Sequence, residues 1–387
     1  MERTHGTDAD LLSEAWQKGF ETLVRLQSEM ESLAGGRPLD LAEGTRYLAR
    51  LLASGLARFD GRGSTAIDYA TPRIGGFNPD YRFGHAKLDP AGAYRIRGRL
   101  NDVQRLAIGS YPGGLGNFQP VGYLAKDQIA CDAEGRFEVR IADARPEPEP
   151  APAVPVSWLP SSAETTALMV RQLLLRATDR PAELVLERVD AAPAGVPSRA
   201  VLDARRQRAQ MDAALLFVAG AAGQFFRWTR IFSQNPNAIA DVPTELEAEV
   251  KADPDTFYAI GYFDLAEGGS LDIRFTPPAC DYWGLAVTNH WLEPIEHGAL
   301  RTHYNHATAE SDPQGEVCLT IDPDADTDTG EVPSRPNIVH TAGHRNGAIF
   351  FRVIGARNNE VPLPDCRVRS GVRDDATSQR GIMNRPG

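Results

Sequence analysis

Proton transfer near neutral pH is done most readily by histidine and carboxylate side chains, and this chain gathers its histidines into one stretch. Six of the eight, His290, His297, His303, His306, His340 and His344, lie between positions 290 and 344. The segment Asn289-His290-Trp291-Leu292-Glu293-Pro294-Ile295-Glu296-His297 sets two acids and two histidines around an indole. A glutamate buried against a tryptophan has its pKa raised toward the working range, and histidine needs little tuning. The expected chemistry is acid–base catalysis by His290, Glu293, His340 and His344, with Arg345 anchoring an anionic group and Trp291 contacting the substrate. Hydrolysis or elimination on a small apolar or sugar-like substrate fits these groups, and a carboxylate pair across a cleft also serves glycoside hydrolysis. The alternative is a non-catalytic ligand-binding or scaffolding protein whose histidines are dispersed.

Three imidazoles are enough for a zinc or non-haem iron site. His303 and His306 are three apart, and His340 and His344 are four apart around Gly343. The chain has no H-x-H or H-E-x-x-H pattern, so no metal is assigned; a divalent ion is the one cofactor these residues leave open. The acidic run from Asp322 to Glu331 invites calcium, but Thr329 stands between the third acid and Gly330, and it reads as a solvated loop. Gly113-Gly114-Leu115-Gly116 lacks the Lys-Ser/Thr of a phosphate loop, and no G-x-S-x-G elbow is present.

The elements that must carry these groups repeat. Asp132-Ala-Glu-Gly135 followed by Phe137, Val139 and Ile141 matches Asp312-Pro-Gln-Gly315 followed by Val317, Leu319 and Ile321. Ser157-Trp158-Leu159 matches Asn337-Ile338-Val339, and Leu168-Met169-Val170-Arg171 matches Ile349-Phe350-Phe351-Arg352. Leu106-Ala107-Ile108 mirrors Leu285-Ala286-Val287, and Tyr94-Arg95-Ile96 mirrors Leu271-Asp272-Ile273; the offsets run from 177 to 181. A repeat of that period means one unit built twice. The first copy has Tyr111, Pro160 and Glu164 where the second has His290, His340 and His344, so the second is the expected home of a site.

At 387 residues the chain can bury more than one core, and 42% hydrophobic with 24% charged residues is a globular balance. A formal charge of −11 argues against nucleic-acid partners and anionic membrane surfaces. No secretory signal is read at the amino terminus, and the apolar run Ala213–Phe226 is too short to span a bilayer. The four cysteines form no C-x-x-C pair and read as reduced thiols. The expected setting is cytoplasmic.

Residues 1–60 read as a helical pair. Leu12, Trp16, Phe20, Leu23, Leu26, Met30 and Leu33 form one stripe; Asp40 caps the second helix, with Glu43 three residues on. The pair offers either a face for a sheet or a contact between copies in a homo-oligomer. Residues 61–190 read as a first β module with 144–160 as an internal Pro-rich loop. Residues 191–255 read as connecting helices, chiefly Ser198–Phe232 with Leu215, Val218, Ala222 and Phe225 packed inward. Residues 256–368 form a second β module, with a Gly268-Gly269 hairpin, and 369–387 a tail.

Asn78-Pro79-Asp80-Tyr81, Tyr94-Arg95-Ile96-Arg97-Gly98, Tyr282-Trp283-Gly284-Leu285, Asn289-His290-Trp291 and Thr341-Ala342-Gly343-His344-Arg345-Asn346-Gly347 resemble bacterial proteins carrying the domain of unknown function 1214. In that family the closing block reads like P-N-W-L-D-T-x-G-H-x-x-G; here Ile338, Val339 and His340 stand in place of W-L-D. The resemblance implies a β-sandwich, jelly-roll-like build and a place beside bacterial catabolic pathways. Tyr81, within the resembling segment, joins Arg345 and Trp291 as an expected substrate contact. The expected fold is mainly β with helical additions (α+β): two jelly-roll-like sandwich modules related by duplication, an N-terminal helical pair and a long connecting helix. Its partner is a small-molecule substrate.

Overall fold

The computed structural model describes residues 7–59, 66–70, 72–90, 92–112, 119–147, 150, 152–189, 203–250, 256–295, 301–325, 336–357 and 361–370. The Gly113–Gly116 loop, Glu296, His297, positions 198–202, most of the acidic run and the tail from 371 lie outside the described residues.

Two helices come first, α1 (Asp8–Ala34) and α2 (Pro38–Arg58). Eight strands follow: β1 (Tyr81–Lys87), β2 (Tyr94–Arg99), β3 (Arg105–Pro112), β4 (Gly122–Ala125), β5 (Arg136–Ala142), β6 (Val156–Pro160), β7 (Thr165–Leu173) and β8 (Glu183–Arg188). Helix α3 (Ala204–Phe232), strand β9 (Ala238–Asp241) and the short α4 (Glu247–Val250) lead to the rest: β10 (Thr256–Asp264), β11 (Ser270–Phe275), β12 (Tyr282–Val287), β13 (His303–Asn305), β14 (Val317–Asp322), β15 (Ile338–His340), β16 (Asn346–Ile354) and β17 (Asp365–Arg369). The protein is mainly β with helical additions.

The strands form four sheets, in orders β1-β7-β3-β4, β6-β5-β2-β8, β13-β12-β16-β10-β9 and β15-β14-β11-β17. Period-two alternation makes them sandwiches. In β2 and β5, Ile96, Phe137, Val139 and Ile141 point inward to meet Leu106, Ile108, Leu168 and Val170 of the facing sheet. Their outward neighbours form a charge ladder, with Arg95 on Glu187 at 2.7 Å and Arg140 on Glu138 at 2.9 Å. A second core joins Leu271, Ile273 and Leu319 to Trp283, Leu285 and Phe351. Setting β9 aside, β10 to β17 stand in the same order as β1 to β8, and each half has one parallel pair, β5–β6 and β14–β15.

Two sequence readings are corrected. The Gly268-Gly269 turn is not a hairpin: β10 pairs with β16 and β9, whereas β11 pairs with β14 and β17. The chain crosses from one sheet to the other there, because alternation fixes which face of each strand is inward but not which sheet it joins. The Pro-rich stretch 144–160 ends in a strand, β6, whose last residue is a proline at a sheet edge, where no ladder donor is missed.

Helices cover the outer face of the sheet containing β16. Helices α1, α2 and α3 share a core of Leu26, Met30, Tyr47, Leu51, Val218, Ala222 and Phe226, into which Trp291 inserts from the second module. Thus the helical pair packs on α3, while Trp16, Phe20 and Val24 remain exposed on the outer side of α1. Helix α3 is long and apolar enough to cross a membrane by composition, and its Trp228 and Phe232 pack on Ile260, Ala348 and Phe350. All nine residues of β16 are therefore buried: Ile349, Phe351 and Val353 face the sandwich core, Ala348 and Phe350 face α3.

The modules meet at the end of this helical cover. Tyr282 donates to Asp80 Oδ2 at 2.8 Å and accepts from Asn78 Nδ2 at 3.0 Å, beside an apolar contact of Leu173 with Ile354. The segment before Asn78 lies over β16: Gly76 has φ 71°, its N–H donates to the Leu292 carbonyl at 2.9 Å, and an added Cβ would overlap the Phe350 ring. Gly76→Ala is expected to cost about 2–4 kcal/mol from left-handed strain and overpacking, read as a lower urea midpoint at unchanged m-value; a wild-type midpoint would contradict this close approach.

Candidate functional site

His290, Glu293 and His344 converge beneath helix α2. His344 Nε2 lies 2.8 Å from Glu43 Oε2, and its Nδ1 lies 2.6 Å from the Thr341 carbonyl. Both partners are acceptors, so both ring nitrogens carry protons and the ring is an imidazolium. Burial alone would push the His344 pKa down; the hydrogen bond and charge of Glu43 outweigh it and hold it above its ordinary value. Burial would likewise raise Glu43, but His344, Asn289 and Arg46 leave it below the usual carboxylate value.

His290 carries the opposite charge state. Its Nε2 is 3.1 Å from the Leu33 carbonyl and so donates, leaving Nδ1 to accept from the Tyr262 hydroxyl at 2.6 Å. Burial holds this neutral ring below its ordinary pKa despite the nearby Asp40. Asn346 closes the group by donating to Asp40 Oδ2 at 2.9 Å and to the Tyr262 oxygen at 3.1 Å. Burial pushes the Glu293 pKa up, partly offset by Arg50 at 3.0 Å. Trp291 is fully buried, with its Nε1 donating to the Asp40 carbonyl at 2.8 Å.

Asp40 and Glu43 were the expected cap and capping-box partner of α2. The helix instead begins at Pro38, whose fixed φ suits the first helical position, with Arg37 as N-cap. With that start, three residues earlier, both acids lie inside the helix on its buried face, where they bind the second module. Every ring nitrogen of His290 and His344 is thereby engaged, the two Nε2 atoms with α1 and α2 and the two Nδ1 atoms within the second module.

The other expected site residues lie apart from this group. His340 ends β15 opposite Asp322, with a buried Nδ1 that has no hydrogen-bond partner among the described residues; burial lowers its pKa against the pull of Asp322. Arg345 pairs with Asp324 and donates to the Ala266 carbonyl at 3.1 Å. His303 Nε2 lies 3.2 Å from Asp80 Oδ1, and the His306 ring sits edge-on to Tyr282 at 5.9 Å, both at the module junction. Among the described residues no three His, Cys, Asp or Glu side chains are grouped to hold a metal ion.

A cavity of about 320 Å³ opens at that junction. The first module contributes Tyr81, Phe83, Met169 and Arg171, the second Tyr258, Phe350 and Arg352, and α3 contributes Phe225 and Trp228. Tyr81 is thus the one expected substrate contact on its wall. Asn78 links that wall to Tyr282, and through it to Asp80 and His303, so residues of the family-like segments meet here. Thr256 and Ile354 are shared with a larger groove of about 1370 Å³ lined by Arg105, Lys126 and Arg357. Sequence reasoning missed Arg352 and Arg171, although both end matched apolar runs. The available signal was an arginine closing an apolar run at the matched position of each copy.

No family model and no curated protein matches the chain. Among solved structures it is similar to an uncharacterized protein from Burkholderia cenocepacia, 27% identical with a TM-score of 0.78, over 94% of this chain and 99% of that one. A protein from Vibrio parahaemolyticus is 13% identical with a TM-score of 0.52, over 94% of this chain and 100% of that one.

Two outcomes follow from the ion pair. His344→Ala leaves buried Glu43 with only the half-exposed Arg46 as counter-charge and is expected to cost about 2–4 kcal/mol, measured by urea unfolding; a loss below about 1 kcal/mol would mean the pair is effectively solvated. The pair's contribution from His344 is full below about 6.5 and is lost as pH rises through its raised folded value. That from Glu43 is full above about 4.5 and is lost as pH falls through its lowered folded value. The stability difference between wild type and His344→Gln should therefore be largest between those values and shrink as pH rises above them; a difference that persists unchanged to alkaline pH would contradict the imidazolium.

Proposed function

We propose that this protein binds a small organic molecule at the junction of its two β modules. The cavity of about 320 Å³ carries the reading, because both modules and α3 supply its aromatic walls. Its volume falls within the roughly 300–1,000 Å³ of small-molecule sites, and predominantly apolar walls with few polar groups are their usual build. The likeness to two solved structures supports the fold and says nothing of the ligand.

The cluster of His290, Glu293 and His344 lends less support to turnover, since α2 covers it and its ring nitrogens are occupied. The ligand-binding alternative is accordingly preferred to hydrolysis or elimination. We also read the sandwiches as duplicated, jelly-roll-like units, on the strength of their shared strand order. Eight strands in two sheets agree with a jelly roll, while the parallel β5–β6 and β14–β15 pairs depart from its antiparallel pattern. On this reading the junction between copies became the binding site.

The test uses 1-aminoanthracene, a small neutral fluorophore, with full-length protein. Saturable binding that quenches Trp228 is expected, and Met169→Trp, which fills the cavity from β7, should weaken it by at least about tenfold, or 1.4 kcal/mol. Binding that is absent, or that Met169→Trp leaves unchanged, would remove the cavity as the site.

A further inference from the structure

The junction cavity holds a charge that no carboxylate pairs directly among the described residues; Asp80 acts on it only at longer range. Arg352 is 8% exposed and lines the cavity. Its Nη2 donates to the Gly76 carbonyl, and among the described residues that is the only hydrogen bond its side chain makes. The rings of Phe350 and Tyr258 flank the guanidinium at 4.9 and 5.7 Å. No carboxylate lies within ion-pairing distance of it among the described residues.

The nearby acids are otherwise engaged. Glu249, on the cavity wall, accepts from Trp228 Nε1 at 2.8 Å and pairs with Arg227. Asp80 accepts from Tyr282 at 2.8 Å and faces His303 at 3.2 Å. Across the cavity Arg171 adds a second positive charge from β7, with its Nη1 on the Tyr111 hydroxyl at 2.9 Å. The cavity is thus lined by two guanidinium groups and is apolar over most of its wall.

We propose that the ligand is a monocarboxylate with an apolar, preferably aromatic, body, its carboxylate seated on the Arg352 guanidinium and its body among Tyr81, Phe83, Phe225 and Tyr258. This rests on the junction cavity being the binding site, and it adds the ligand's chemical class. A guanidinium fork matches a carboxylate bidentately, and removal from water strengthens that pairing. Removing a charge from water costs several kcal/mol when it goes unpaired, so the apo protein bears a penalty that a carboxylate relieves. A phosphate dianion suits this place poorly, because its remaining oxygens would face rings. The volume accommodates on the order of ten water-sized groups at about 30 Å³ each, a ring with a short side chain.

The experiment is calorimetric titration of the full-length protein with benzoate, phenylacetate and 4-phenylbutyrate, each against its neutral primary amide. At least one acid should bind at least tenfold more tightly than its amide. Arg352→Met, which keeps the volume and removes the charge, should abolish that preference while retaining 1-aminoanthracene binding as proof of a folded cavity. Arg352→Lys should restore part of the preference. Equal affinity for acid and amide, or an acid preference that survives in Arg352→Met, would overturn the proposal and leave the cavity reading standing. Binding of the neutral fluorophore without binding of any acid would also overturn it. Failure of every probe, the fluorophore included, would remove the cavity reading and this proposal together.

Discussion

A strand buried on both faces cannot send a polar side chain to water, and β16 is such a strand along its whole length. One face closes the second sandwich and the other lies under α3 and the module junction. Each polar group on or beside it must find its partner inside the protein or in a ligand. Much of the remaining architecture answers that demand. Asn346, at one end, draws in Asp40 of α2 and Tyr262 of β10. Arg352, near the other end, receives a single backbone carbonyl.

The two ends solve the same electrostatic problem differently. At the Asn346 end, complementary protonation states settle the charges: His344 is cationic against Glu43, and His290 is neutral between a carbonyl and a hydroxyl. Breaking one partner there strands another, which makes the helical pair integral to the second module instead of an appendage. At the Arg352 end, the flanking groups are rings, and the nearby acids are committed to Trp228, Arg227, Tyr282 and His303. A fold that gives its buried acids side-chain partners at one end, Glu43 with His344 and Asp40 with Asn346, and leaves a guanidinium facing a cavity at the other marks the second place as the one where something binds.

Much of this fold was legible in the chain. Alternation in Phe137-Val139-Ile141 and Val317-Leu319-Ile321 identified equivalent strands, and the ladders pair Ile141 with Leu159 and Ile321 with Val339, at the offset of 180 read from sequence. Other matches were less secure. Ile108 pairs with Val170, and Leu285 with Phe351, so β3 corresponds to β12 at 177 when β7 corresponds to β16 at 181. The sequence match of Leu106 with Leu285 lies two residues away, a slip that period-two alternation cannot detect because it leaves every side chain on its own face. The convergence of His290, Glu293 and His344 was also foreseeable, but its purpose was not. Periodicity does not reveal that Asp40 and Glu43 sit on the inner face of α2 once Pro38 starts the helix. The junction cavity was illegible for a further reason: its walls come from positions as far apart as Gly75 and Ile354, and only the packing of two modules and a helix brings them together.

The most direct measurement of the central claim is the Nε–H signal of Arg352 in ¹⁵N-edited NMR of the full-length protein, assigned by its loss in Arg352→Met and followed as benzoate is added. This signal should move downfield and exchange more slowly with water as the carboxylate takes up the guanidinium, with the Arg345 signal unchanged. An Arg352 signal that stays in place while benzoate binds elsewhere, or while no site saturates, would contradict it.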